Sequence, residues 1–195
     1  MNDSDRTYKR VEERFFSAHH PLLQIAERSL SKAQAKDPGW MNEALICITF
    51  SALSIEAMAN AIGSTLIQDW KDFESASPTA KIRLLAEHLG VEFSPTKEPW
   101  STIKWLGRFR NTIAHPKPEH IVRERLIPSH ELESRTFDAP ESKFERELTS
   151  ENARRAFEAV YKAKRLLCEK IPYDLNLGLE VDGWSSSTEL HPHHK

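Results

Sequence analysis

The stretch from Trp40 to Leu66 constrains this chain more than any other. Leu45, Ile48, Ala52, Ile55, Ala59, Ile62 and Leu66 recur at three- and four-residue steps, which is one face of a helix. Ile46, Phe50, Leu53 and Ala57 add a second apolar stripe beside the first. A helix apolar over so much of its surface belongs at the centre of a bundle. It does not read as a membrane span, because no window approaches the ~18 uninterrupted apolar residues that a bilayer asks for.

The flanking segments read as further helices. Tyr8, Val11, Phe15, Ala18, Leu22, Ile25 and Ser29 keep the same three-four step, so a first helix is expected, kinked or split at Pro21. Asp37-Pro38-Gly39 marks a turn. Ser77-Pro78-Thr79 opens a shorter helix through Ile82, Leu85, Ala86 and Leu89, closed by Gly90. Glu98-Pro99-Trp100 begins another, which Pro116 stops. Residues 117–148 are broken by prolines and read as an irregular excursion with room for a short hairpin. Thr149 or Ser150 caps a last helix with Ala153, Phe157, Val160, Leu167 and Ile171 inward, and Pro172 ends it.

The expectation is an all-α, antiparallel bundle of four or five helices over residues 1–172, with 117–148 as an insertion. Residues 173–195 form a tail with no clear period. The 195 residues suit one domain with a substantial core.

Composition narrows the function classes. The net charge of −2 rules out a globally basic nucleic-acid surface, so any anion site must be local. The N-terminus MNDSDRTYKRVEERFF lacks the apolar core of a signal peptide, and a cytoplasmic protein is expected. Cys47 and Cys168 fall in apolar helical patterns and read as small buried hydrophobes in a reducing compartment. No Cys/His spacing suggests a metal, the terminal HPHHK reads as a solvated tail, and no cofactor is expected.

The informative polar residues cluster in RFRNTIAHPKPEH, residues 108–120. Ile103, Leu106, Arg110 and Ile113 share a stripe, so Arg110 stands where a leucine would be expected. An arginine facing a core needs a partner, because an unpaired buried charge costs several kcal/mol. Glu56 and Asn60 bring a carboxylate and an amide into the most apolar helix, and Glu56–Arg110 is the expected pair between helices. That pair can equally be a structural bridge that fixes register. Lys104, Arg108, Asn111 and His115 form a neighbouring polar stripe.

His115 precedes a proline and is pushed out of the α region, which puts it at the helix C-terminus. Arg110 and His115 lie about 140° apart on an ideal helix, and the break at Pro116 can turn the histidine towards the arginine. Asn111 and His115 share a face.

Arginine, asparagine and histidine together can cleave RNA without a metal. Histidine can take the 2′-OH proton or protonate the leaving 5′-oxygen. Arginine can hold the phosphate through parallel hydrogen bonds. One histidine does not easily make both transfers, but two copies at a dimer interface can. The same letters also spell a polar helix cap.

Arg110-Asn111-Thr112-Ile113-Ala114-His115 resembles the Arg-x4–6-His motif of HEPN domains, in which a polar residue usually follows the arginine. ALSIEAMANAIG at 52–63 is similar to the preceding core helix of that family, which often carries an acidic residue. The resemblance spans roughly residues 8–171, with 117–148 less typical. It implies a helical bundle, usually a homodimer with two motifs meeting in a cleft. Many members are metal-independent endoribonucleases of toxin–antitoxin, phage-defence or RNA-processing systems. By that resemblance Arg110 and His115 are catalytic, Asn111 assists, and Glu56 orients Arg110; Asn60, a turn after Glu56, is a further orienting candidate. Other members have lost activity and only bind RNA, nucleotides or a protein partner.

Lys104, Arg108 and Lys117, with Arg123 and Arg125, are candidate RNA contacts, although a charge run is often only a solvated face. Trp100 and Trp105 can stack on bases or fill the core. Beside the ribonuclease reading stand a non-catalytic binding module and an antitoxin-like partner that docks through 117–148.

Overall fold

The computed structural model describes residues 8–128, 139–176, 178–179 and 183–190. Among them lie six α-helices and a two-stranded ribbon. The helices are α1 (His19–Ala35), α2 (Trp40–Leu66), α3 (Pro78–His88), α4 (Trp100–Ala114), α5 (Lys143–Glu147) and α6 (Ser150–Cys168). The strands are β1 (Tyr8–Phe15) and β2 (Gly183–Leu190). A largely helical bundle is therefore present, and α2 runs through its centre.

α2 touches α1, α3, α4 and α6. Ile48, Ala52, Ile55, Met58, Ala59 and Ile62 are buried along its inner face, as the three-four spacing predicts. Alanines 153, 156, 159 and 163 of α6 are buried too, and small side chains let α6 lie close against its neighbours. The second stripe of α2 behaves differently. Ile46, Leu53 and Ala57 stay half-buried, on the side of the helix that carries Glu56. By length and composition α2 could cross a membrane, but half of its most apolar window is buried inside the bundle.

Helix ends follow local chemistry. Ser77 caps α3 by accepting from the Ala80 amide, and Pro78 supplies the pre-set first turn. Gly90 lies just past its end with φ of 67°. Thr149 caps α6 by accepting from the Asn152 amide at 3.0 Å. Ser142 and Glu145 form a reciprocal capping box on α5, inside the excursion that reads as irregular from sequence. The hairpin expected within 117–148 falls partly on 129–138, outside the described residues.

The N-terminal expectation is overturned. Residues 8–15 are an exposed strand, paired antiparallel with β2 from Tyr8↔Leu190 to Phe15↔Gly183. The helix begins only at His19, so Pro21 sits in its first turn, where no backbone donor is missed and no kink follows. The partner strand is some 170 residues away in sequence, beyond the reach of local periodicity. The tail that looked aperiodic holds that strand. It is anchored by Leu179, whose carbonyl accepts from buried His19 at 3.0 Å, and by the Gly178 carbonyl, which accepts from His20 at 3.2 Å. A Cβ on Gly178 would meet the Phe15 Cβ at 2.6 Å, so the chain can cross there only as glycine. The histidine-rich terminus lies outside the described residues.

Both cysteines are buried, and among the described residues neither is in a disulfide. Burial pushes the Cys47 thiol up to about 12, so it is an inert core residue. The start of α4 is locked to α6 by a polar chain. Burial alone would raise the Glu98 carboxyl, but hydrogen bonds from Ser101 and Thr102 and the charge of Arg155 together hold it below the usual carboxylate range. Thr102, fully buried, donates to Glu98 at 2.8 Å and accepts from Arg155 at 2.8 Å.

A carboxyl held low stabilises the fold above its unfolded pKa. That stability is lost as pH falls through the lowered value. Glu98→Gln removes the charge. The gap in urea midpoint between wild type and Glu98→Gln is therefore open at neutral pH and closes on acidification. A gap that persists in acid would mean the charge contributes nothing.

Candidate functional site

α4 carries its polar residues on two sides of an apolar spine of Ile103, Leu106 and Phe109. Arg110 follows Phe109 and emerges at the margin between α4 and α2. Its guanidinium lies 3.6 Å from the Glu56 carboxylate, the pair the sequence suggests. The Arg110 side chain keeps 40% of its surface and Glu56 keeps 25%, so the pair sits at the rim of the core. A solvent-bathed pair of this kind contributes about 1 kcal/mol at most. The arginine is therefore held in place but left open on one side. It also donates to the Asn111 side-chain oxygen at 3.4 Å.

His115 is the C-cap of α4, with its amide donating to the Asn111 carbonyl at 3.0 Å and its backbone outside the helical region. Its ring is exposed and has no hydrogen-bond partner among the described residues. Glu56, Arg110 and Asn111 are thus linked, and His115 stands a turn further on without touching Arg110. The turn of His115 towards Arg110 that Pro116 could allow does not bring the two side chains together within one chain.

Asn60 needs a correction. It does not orient Arg110; its oxygen accepts from the Lys81 ammonium at 3.0 Å. Lys81 is 2% exposed and, among the described residues, has no carboxylate within ion-pair distance. The sequence reading missed it, although Lys81 lies four residues before Leu85 on the apolar stripe of α3, and that spacing was the available signal. A buried ammonium with one neutral acceptor is costly. Lys81→Met keeps the volume and removes the charge, and Asn60 at the margin can turn to water. The expected result is a rise in stability of about 1 kcal/mol in a thermal melt. A fall of that size would mean that the ammonium is well compensated.

The expected RNA contacts Lys104, Arg108 and Lys117 are all exposed, with no carboxylate at ion-pair distance among the described residues. Trp100 and Trp105 are structural. Trp100 is buried and donates to the Glu92 carbonyl at 2.9 Å. Trp105 donates to Glu147 at 3.2 Å and lies under the Arg155 guanidinium.

A cavity of about 730 Å³ opens beside the α4 end. Leu45, Ile113 and Phe144 line it with Pro116 and Lys117, while Arg110 and His115 do not. Among the described residues no cluster of His, Cys, Asp or Glu could hold a metal ion.

Comparison with family models, with curated proteins and with solved structures finds no match to this chain.

Proposed function

We propose that this chain is a metal-independent endoribonuclease of the HEPN type that cleaves single-stranded RNA as a homodimer. The observation that carries the reading is Arg110, clamped by Glu56 at 3.6 Å yet two-fifths exposed, beside Asn111 and one turn before the free ring of His115. A guanidinium fixed on one side and open on the other is suited to grip a phosphate with two parallel donors.

The chemistry follows from these groups. The RNA 2′-oxygen attacks the adjacent phosphorus while a histidine takes its proton, and the 5′-oxygen leaves with a proton from an acid. Arg110 stabilises the charge that builds on the non-bridging oxygens. The products are a 2′,3′-cyclic phosphate and a free 5′-hydroxyl. His115 does not contact Arg110 within one chain, and two proton transfers call for two groups. A second copy supplies the second His115. The half-buried apolar residues Ile46, Leu53 and Ala57, on the Glu56 side of α2, offer a surface for that copy. A role as toxin or defence nuclease, with an antitoxin as partner, follows from the family resemblance.

The test is incubation of purified protein with total RNA and tRNA in EDTA. Cleavage that leaves cyclic-phosphate ends is the expected result. Intact RNA across several substrates would sink the ribonuclease reading. It would favour a catalytically inactive RNA-, nucleotide- or protein-binding module, in which Glu56–Arg110 only fixes helix register.

A further inference from the structure

A second groove, mostly apolar in its lining but bordered by two cations, lies between the start of α3 and α4, with an open volume of about 500 Å³. Ser77, Thr79 and Arg83 from the α3 segment line it, together with Phe93 and Pro95 from the loop before α4 and Lys104 of α4. No acidic residue takes part. Arg83 and Lys104 are exposed, and neither has a carboxylate at ion-pair distance among the described residues. In a chain of net charge −2, two unneutralised cations across one groove are a local anion site.

Two further observations strengthen this. Lys81 follows Ala80, which also lines the groove, and among the described residues its buried ammonium has only the neutral Asn60 as partner. Its charge therefore adds to the positive potential at this end of α3 without being cancelled. Phe93, half-buried, packs on Trp100 at 5.2 Å between ring centroids, so its ring is held in place where it borders the groove. A fixed aromatic face beside unpaired cations suits a base and its phosphate together.

The groove also aligns with the proposed cleavage site. Lys104, Arg108, Asn111 and His115 step by four, three and four along one face of α4. Lys104 and Asn111 are about 10 Å apart along the helix axis, a span that a short run of extended strand bridges.

We infer that the α3–α4 groove is a second subsite for single-stranded RNA. Arg83 and Lys104 hold a backbone phosphate there, and Phe93 stacks on a base a few nucleotides from the bond that is cut. The inference rests on the ribonuclease reading of the α4 end and adds α3 to the RNA path.

The test uses a fluorescent single-stranded RNA octamer whose 2′-positions are methylated, so that it binds but cannot be cleaved. Its anisotropy is titrated with wild type, Arg83→Glu, Lys104→Glu and Arg28→Glu, the last an exposed position on α1 with the same change in net charge. Arg83→Glu and Lys104→Glu each weaken binding about 10-fold, a loss of about 1.4 kcal/mol, and Arg28→Glu changes it less than about 2-fold. Each loss comes with a shallower salt dependence, by about one unit of slope. Arg83→Glu binding like Arg28→Glu would overturn the subsite and leave the ribonuclease reading intact, since cleavage at His115 is scored separately on unmodified RNA. Polyglutamate displacing the octamer as well as unlabelled RNA does would also overturn it, because the groove would then read charge alone. No binding of the octamer by wild type would overturn it too.

Discussion

His115→Ala leaves RNA uncut over times in which the wild type degrades it, a loss of about 10²–10⁴-fold. Its stability is unchanged within about 0.5 kcal/mol. The second half of this result makes the first half interpretable. The His115 ring is exposed and bonded to nothing among the described residues, so its removal leaves no orphaned partner and no cavity. Loss of cleavage in a protein that melts normally then places the imidazole in the chemistry. Arg110→Ala behaves alike, with cleavage down by about 10²–10³-fold. A pair that keeps 40% and 25% of its side-chain surface loses about 1 kcal/mol at most when broken. This revises the expectation from sequence, where an arginine on an apolar stripe implied a buried bridge worth several kcal/mol. Equal cleavage by wild type and His115→Ala would point to another site or to a contaminating nuclease, and the motif would lose its role.

The legible parts of this fold are those whose signals are local. The core helix announces itself because one stretch can display a full apolar face. The starts of α3 and α6 are spelled by Ser77-Pro78 and Thr149, since a cap and the amide it satisfies lie within three residues of each other. Glu56–Arg110 was also readable, because each residue breaks an apolar stripe and charges in such places seek one another.

The failures share a cause. β1 keeps a three-four spacing of apolar residues by accident, and the evidence for a strand sits in β2 at the far end of the chain. Nothing in YKRVEERF alone shows that GWSSSTEL will pair with it. Asn60 went wrong for a related reason. Its helix position relative to Glu56 is clear, but the neighbour on that side is α3, whose docking depends on packing. Lys81 claims the amide that was assigned to Arg110. The α3–α4 groove is illegible for the same reason, since Arg83, Phe93 and Lys104 come from three separate segments.

Gly63→Ala destabilises the protein by about 1–3 kcal/mol, against the ordinary rule for its position. In a helix interior alanine is favoured over glycine by about 1 kcal/mol, and Gly63 lies within α2, four residues before its C-cap. Here the chain leaves α2, turns at Asp69 with φ of 58°, and folds Trp70 back over the helix end. A Cβ on Gly63 would fall within the Trp70 indole, against Cε2, Cδ2 and Cζ2. Trp70 is 5% exposed and belongs to the core, so the ring cannot swing into water without giving up its burial. Either the indole or the backbone of α2 must move, and a close-packed interior resists both. A double-mutant cycle isolates the cause. Trp70→Leu is destabilising by itself, but Gly63→Ala added to it costs much less than in the wild type, because the ring that caused the clash is gone. Urea denaturation of the four proteins measures this coupling. Gly63→Ala that melts higher than wild type, as a simple propensity gain would require, would mean that Trp70 does not pack against α2 in solution.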